Sequence, residues 1–156
     1  MKGFHIHLGK KPSRLEKGFK EGRELWYTTE TEGGWLHQWS EIGLDQYGGY
    51  TLYEVDIPES SLTHSLENSD PTKILVIRRS NLEDFKKVYK KELQHSRDKL
   101  LEKMSEQYAG VDVNDESLWR TATYKLINAG PASGVIWRFR GTGITVKQIK
   151  KENGSN

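Results

Sequence analysis

Three runs of sequence decide the fold: FHIHL at residues 4–8, LWYTTE at residues 25–30 and GGYTLYEVDIP at residues 48–58. All three are rich in aromatic and β-branched residues or alternate between apolar and polar, which favours extended chain. More polar segments connect them and predict short helices at about 13–22 and 32–41. We therefore predict three strands near the start of the chain, around which the later elements assemble.

Two histidines share one face of the first predicted strand. Successive side chains of a strand point to opposite faces, so His5 and His7 lie on one face, and Phe4, Ile6 and Leu8 lie on the other. We expect the apolar face to be buried and the imidazoles to look into whatever lies opposite. Two histidines at this spacing could supply two metal ligands, but the chain has no cysteine and no convincing third ligand. We expect no metal.

The composition indicates one folded domain. The chain has 156 residues, of which 29% are charged and 34% hydrophobic, and this length can bury a real core. The net charge of +2 does not indicate the concentrated basic face of a nucleic-acid binder. The absence of cysteine fits a reducing compartment, and no run approaches the roughly 20 apolar residues of a membrane helix. We expect one domain over residues 1–150, a polar tail at 151–156, a cytoplasmic location and no membrane partner.

The second half of the chain alternates predicted strands and helices. A near-continuous apolar run at 73–78 predicts a strand that is covered on both faces. Apolar residues then recur every three or four positions over 81–109, which predicts one long amphipathic helix. A further helix is predicted at about 115–130. Strands at 134–139 and 144–149 are expected to pair as a hairpin, and the fold class is α+β with a split or mixed sheet.

An ordered series of short motifs covers residues 4–90 and continues more loosely over 115–149. The motifs are Phe4-His5, Lys17-Gly18-Phe19, Trp26-Tyr27-Thr28-Thr29, Trp35 with Trp39, Gly48-Gly49-Tyr50, Thr72–Ile77 and Ala132–Trp137. In this order they resemble the ADP-ribosyltransferase fold, especially its diphtheria-toxin-like and small phage-encoded branches. The resemblance implies a split mixed β-sheet with flanking helices in one ADP-ribosyltransferase-like domain.

The resemblance also implies that NAD is the substrate and gives the matching side chains their roles. Enzymes of this fold break the bond between nicotinamide and ribose, through a transition state with positive charge on the ribose. His5 would bind a ribose hydroxyl, with His7 beside it in the NAD site, and Tyr27 would stack on the nicotinamide ring. Trp39 would supply a second aromatic face, which attracts a cationic ring, and Thr28 would brace the site.

The catalytic carboxylate has no obvious place in this sequence. The family holds a Glu or an Asp on a late strand, but this chain has no acidic residue between Glu116 and Glu152. The candidate catalytic acids are therefore Glu30 and Glu41, with Glu54 as a further possibility. The favoured function is an NAD-dependent mono-ADP-ribosyltransferase that modifies a protein or nucleic-acid acceptor, with an atypical or missing catalytic acid.

Two other functions stay open at this point. The first is a catalytically inactive ADP-ribosyltransferase-like module that binds a nucleotide or a protein partner, and arginines lining the cleft would favour it. The second is a hydrolase of nucleotides or RNA that uses His5 and His7 as an acid–base pair. Such a pair requires both imidazoles in one pocket.

Overall fold

The structure is a computed structural model that describes residues 1–9, 15, 23–29, 48–118, 120–127 and 133–153. The helices predicted at 13–22 and 32–41 lie outside these residues, apart from residue 15. The strands are β1 (Lys2–Leu8), β2 (Leu25–Tyr27), β3 (Gly49–Asp56), β4 (Leu62–Thr63), β5 (Ile74–Val76), β6 (Gly110–Asp112), β7 (Gly134–Ile136) and β8 (Thr145–Asn153). The α-helices are α1 (Leu82–Val88), α2 (Lys90–Leu93), α3 (Arg97–Gln107) and α4 (Ala122–Ile127), and single 3-10 turns occupy Glu59–Ser61, Arg79–Asn81 and Glu116–Leu118.

The described strands form two sheets, which confirms the predicted α+β class. Sheet A is antiparallel with the strand order β1-β3-β8, and sheet B has the order β2-β7-β6-β5-β4. Sheet B is mixed, because β5 runs parallel to both β4 and β6, whereas β7 runs antiparallel to both β2 and β6. The sheets meet at a seam where β1 approaches β2. There the N–H of Phe4 donates to the carbonyl of Thr28 at 2.7 Å, and the N–H of Thr28 donates to the carbonyl of Phe4 at 2.9 Å.

Sheet B is covered on both faces, as the apolar run at 73–78 predicts. Neighbouring residues of a strand face opposite ways, so Leu75 packs with the residues of α1 and α3 while Ile74 faces sheet A. The layer between the sheets is closed from the other side by Val55 and Ile57. The three residues of β5 are all buried, which is why the strand lacks the polar alternation of a half-exposed one.

The long helix predicted over 81–109 is divided into three helices. Tyr89 interrupts the helical backbone between α1 and α2. Ser96 is fully extended, and its hydroxyl accepts the N–H of Lys99 at 3.2 Å, which starts α3 anew. A serine in this position satisfies an N–H that has no partner within the helix. The prediction of one continuous helix was wrong because the apolar spacing continues across both breaks.

The helix predicted at about 115–130 is also shorter within the described residues. Its first part is the 3-10 turn at Glu116–Leu118, and α4 begins only at Ala122. The hydroxyl of Thr121 accepts the N–H of Tyr124 at 3.1 Å. This side-chain bond caps the start of α4, which begins four residues after the last residue of the 3-10 turn.

The predicted hairpin of the last two strands is wrong. Strand β7 lies inside sheet B between β2 and β6, whereas β8 pairs with β3 in sheet A. The chain changes sheets through a turn in which Gly141 and Gly143 have positive φ angles of 75° and 74°, which glycine adopts without steric cost. Strand β8 continues to Asn153, so the first three residues of the predicted polar tail belong to the sheet.

Candidate functional site

The face of β1 that carries the histidines continues the inner face of sheet A. Across the β1–β3 ladder, His5 lies opposite Tyr53 and His7 opposite Thr51, and directly opposed residues share a face. Tyr53 and Thr51 are buried, and Val55 on the same face of β3 packs against sheet B. The histidines therefore face the side on which the two sheets pack together, while Ile6, on the other face of β1, is buried as expected.

The imidazole of His5 is held in one orientation by β2. Its Nδ1 lies 2.7 Å from the carbonyl oxygen of Trp26. A carbonyl only accepts hydrogen bonds, so Nδ1 carries the hydrogen in this contact. In the neutral ring Nε2 is then the acceptor nitrogen. The ring is inclined at 39° to that of Tyr53, with 6.1 Å between the ring centroids.

A cavity of about 220 Å³ lies beside the two histidines. Typical pockets for small molecules are about 300–1,000 Å³, so this cavity is smaller than a typical small-molecule pocket. Four consecutive residues of β1, from both faces of the strand, contribute to its lining. Its described lining residues are His5, Ile6, His7, Leu8, Leu15, Glu24 and Leu25.

Trp26 connects the parts of this site. Its carbonyl accepts from His5, and its indole Nε1 donates to the Glu24 carboxylate oxygen Oε2 at 2.8 Å. The guanidinium of Arg97, at the start of α3, lies 5.4 Å from the centroid of the indole ring, within range of a cation–π attraction. Sequence analysis did not single out Trp26 or Glu24 as site residues. The signal available in the sequence was the tryptophan itself, whose indole N–H needs an acceptor wherever it is buried.

Tyr27 lies in the core and not at the cavity. It is 0% exposed, and its hydroxyl donates to Oδ2 of Asp112 at 2.6 Å. A Cβ atom at Gly3 would stand 2.7 Å from the Tyr27 ring, and one at Gly134 would stand 2.4 Å from the Tyr27 hydroxyl oxygen. With glycine backbone packed this closely, the ring has no open face for nicotinamide. The stacking role that the resemblance implies for Tyr27 does not fit this position.

A buried network continues from Tyr27 through Asp112 to Arg78. The Asp112 side chain is 0% exposed, and its Oδ1 lies 2.9 Å from Nη1 of Arg78, whose side chain is 28% exposed. The same carboxylate oxygen accepts the N–H of Asn114 at 3.0 Å. Burial, together with the nearby charge of Asp112, raises the pKa of Tyr27 well above its ordinary value. This network joins β2 to the ends of β5 and β6. The Asp112 carboxylate forms its bonds within the core.

Thr28 lies at the seam between the sheets. Thr28 is 1% exposed, and its hydroxyl donates to the carbonyl of Thr29 at 3.1 Å. Glu30, Trp39 and Glu41 lie outside the described residues. Their predicted roles, catalytic for the two glutamates and aromatic stacking for the tryptophan, stay predictions.

Glu54 lies on the wrong face of sheet A to act with the histidines. It is opposite Phe4 in the β1–β3 ladder, whereas His5 is one residue further along and points to the other face. Its carboxylate oxygen Oε1 lies 3.0 Å from Nζ of Lys2. Glu54 is therefore separated from His5 by the sheet itself.

The described residues place two limits on the kind of site. Among them, no group of three or more histidine, aspartate or glutamate side chains is arranged to hold a metal ion. No helix in the same residues is long and apolar enough to cross a membrane.

Comparisons with family models, curated proteins and solved structures found no match to this chain.

Proposed function

We propose that the cavity beside β1 binds NAD and that the protein is an NAD-dependent mono-ADP-ribosyltransferase with a macromolecular acceptor. The observation that carries this proposal is the bond from His5 Nδ1 to the carbonyl of Trp26 at the seam of the two sheets. It requires a hydrogen on Nδ1 and holds the imidazole of a residue that lines the cavity. This is the position in which the resemblance to ADP-ribosyltransferases expects a ribose-binding histidine.

The geometry of His5 suits a ribose hydroxyl. With the hydrogen on Nδ1, Nε2 accepts a hydrogen bond from the hydroxyl while the ring stays neutral. A neutral ring does not repel the positive charge that develops on the ribose as the bond to nicotinamide breaks. His7 lines the same cavity and provides a second polar contact for the substrate.

The reaction consists of one bond broken and one bond formed at the same ribose carbon. The electron pair of the carbon–nitrogen bond leaves with nicotinamide, whose ring nitrogen loses its positive charge. The acceptor's nucleophilic atom then forms a bond to that carbon and gives up its proton to water. Binding that is stronger to the positively charged ribose than to NAD itself lowers the barrier.

The two-sheet arrangement supports the proposed family relationship. A three-stranded and a five-stranded sheet that meet at one seam fit the split sheet that the resemblance implies. Tyr27 is not part of the proposed site, because it is buried. Trp39 remains the predicted stacking aromatic.

A calorimetric titration with NAD tests the proposal. We expect the wild-type protein to bind NAD and His5→Ala to bind it at least about tenfold more weakly, the equivalent of one lost hydrogen bond of about 1.4 kcal/mol. His95→Ala is the matched control, because His95 is exposed and lines a different groove, between α2 and α3. The proposal is wrong if wild-type protein does not bind NAD, or if His5→Ala binds it equally well.

The His5–His7 pair also supports a second candidate, a hydrolase of nucleotides or RNA. The supporting observation is that both histidines are among the residues that line one cavity, and an acid–base pair requires a shared pocket. This candidate predicts cleavage of an RNA oligonucleotide without NAD and loss of that cleavage in His7→Ala. If NAD binds but no nicotinamide is released, the inactive nucleotide-binding module is favoured instead.

A further inference from the structure

A groove of about 320 Å³ lies between the segment formed by α1 and α2 and the start of α4. Its volume is within the range of about 300–1,000 Å³ that is typical of small-molecule pockets. It shares no described lining residue with the cavity beside β1, and none of its described lining residues is acidic. These residues are Lys86, Lys90, Leu93, Gln94, Ala122 and Thr123.

The two lysines of the groove belong to one helical face. The N–H of Tyr89 donates to the carbonyl of Phe85 at 3.0 Å, and the N–H of Leu93 donates to the carbonyl of Tyr89 at 2.9 Å. The helical spacing therefore continues across the interruption between α1 and α2, and residues 86, 90, 93 and 94 lie on one side of the segment. Lys86 and Lys90 are exposed, whereas Leu93 is partly buried against the core, so this side combines positive charge with an apolar surface.

Both lysines are available to an anion. Nζ of Lys86 lies 3.4 Å from Oε1 of Glu83, but these side chains are 43% and 78% exposed. An ion pair with this exposure contributes little stability, so an anion in the groove can replace Glu83. Lys90 forms no ion pair with any residue that the structure describes.

Thr123 is a buried polar residue of the groove. It is 6% exposed, and its hydroxyl forms no hydrogen bond within the described part of the chain. The neighbouring Thr121 hydroxyl, in contrast, donates to the carbonyl of Leu118 at 2.7 Å. Buried polar groups are nearly always hydrogen-bonded, and an unpaired one destabilises the fold. A ligand that accepts from the Thr123 hydroxyl removes this penalty.

We propose that this groove binds a small organic anion with an apolar body, in which an anionic oxygen head group is attached to a short alkyl chain. The two ammonium groups attract the head group, and the Thr123 hydroxyl donates to one of its oxygens. The alkyl chain removes apolar surface of Leu93 and Ala122 from water. This site does not depend on the proposed transferase activity.

Calorimetric titrations with hexyl phosphate and with hexanoate test the site. We expect wild-type protein to bind at least one of them saturably, and the double variant Lys86→Gln/Lys90→Gln to bind it about tenfold more weakly because two ion pairs are lost. The matched control is Lys87→Gln/Lys91→Gln, which makes the same change of charge at the adjacent lysines, outside the described lining of the groove. It should bind within about twofold of wild type, because solvent and salt screen exposed charges that do not contact the ligand.

A second variant tests the hydroxyl separately from the charges. Thr123→Val keeps the shape of the side chain, and it should not lower stability because the hydroxyl has no partner to lose. We expect it to bind about threefold more weakly than wild type, the effect of one weak hydrogen bond.

The two anions also distinguish the head group. Tighter binding of hexyl phosphate assigns a phosphate and tighter binding of hexanoate assigns a carboxylate, and either result supports the site. The proposal is wrong if wild type binds neither anion, if the two double variants bind equally well, or if Thr123→Val binds as tightly as wild type.

Discussion

Asp112 shows how a single buried residue organises the middle of sheet B. Removing a carboxylate from water costs several kcal/mol unless it is paired and hydrogen-bonded. Here the carboxylate has three partners, the Tyr27 hydroxyl, the Arg78 guanidinium and the Asn114 N–H. Because these partners come from β2 and from the ends of β5 and β6, the network fixes the relative positions of these strands.

The raised pKa of Tyr27 predicts that stability falls at alkaline pH. The folded protein holds the Tyr27 proton more tightly than the unfolded chain does, because burial and the charge of Asp112 disfavour the phenolate. This contribution is complete below the ordinary tyrosine pKa of about 10 and is lost as the pH rises above it. We expect the free energy of unfolding in urea to fall more steeply between about pH 9 and 11 in wild type than in Tyr27→Phe.

Tyr27→Phe isolates the effect of one hydroxyl. Tyr89 and Tyr108 also have raised pKa values, caused mainly by burial, and both remain in the variant. The difference between the two proteins therefore reports on Tyr27 alone. Parallel curves for the two proteins would contradict the assignment of an alkaline-sensitive bond to Tyr27.

Single residues were predictable only where the cause is local. The shared face of His5 and His7 follows from the two-residue period of a strand, and the structure places both in one cavity. The burial of Tyr27 does not follow, because its partner Asp112 is 85 positions away along the chain. The same limit applies to the bond between His5 and the carbonyl of Trp26, which depends on how β2 approaches β1.

Ser96 determines where the longest described helix begins. Its hydroxyl accepts the N–H of Lys99, and the loss of such a cap costs about 1 kcal/mol. We expect Ser96→Ala to lower the free energy of unfolding by about that amount in urea titrations. Ser69→Ala, at an exposed loop position, should change it by less than about 0.5 kcal/mol. Equal effects of the two substitutions would show that Ser96 does not act as a cap.

The sequence predicted whether an element is a strand or a helix better than it predicted where the element ends or which strand it pairs with. The strands at β1, β3 and β5 match the sequence pattern because alternation and continuous burial are local signals. The breaks beside α2 were missed because buried positions keep their spacing across them. The pairing of β8 with β3 was missed because the sequence of a strand does not indicate which neighbouring strand it will pair with.

At the scale of the whole molecule, the proposed NAD site lies at the seam between the two sheets. Sheet A brings the two histidines, and the carbonyl of Trp26 on β2 of sheet B holds the ring of His5. The buried layer between the sheets holds the two halves together through Val55, Ile57 and their partners. A site built across such a seam has its polar groups fixed by both sheets.

The most direct test of this account is a histidine side-chain NMR spectrum recorded during a titration with NAD. The ring nitrogens of the chain's five histidines can be followed separately in a long-range proton–nitrogen correlation. We predict that free His5 shows the Nδ1–H tautomer, that the His5 and His7 signals shift saturably with NAD, and that those of His64 and His95 stay in place. Unchanged His5 and His7 signals at saturating NAD would contradict the proposed site.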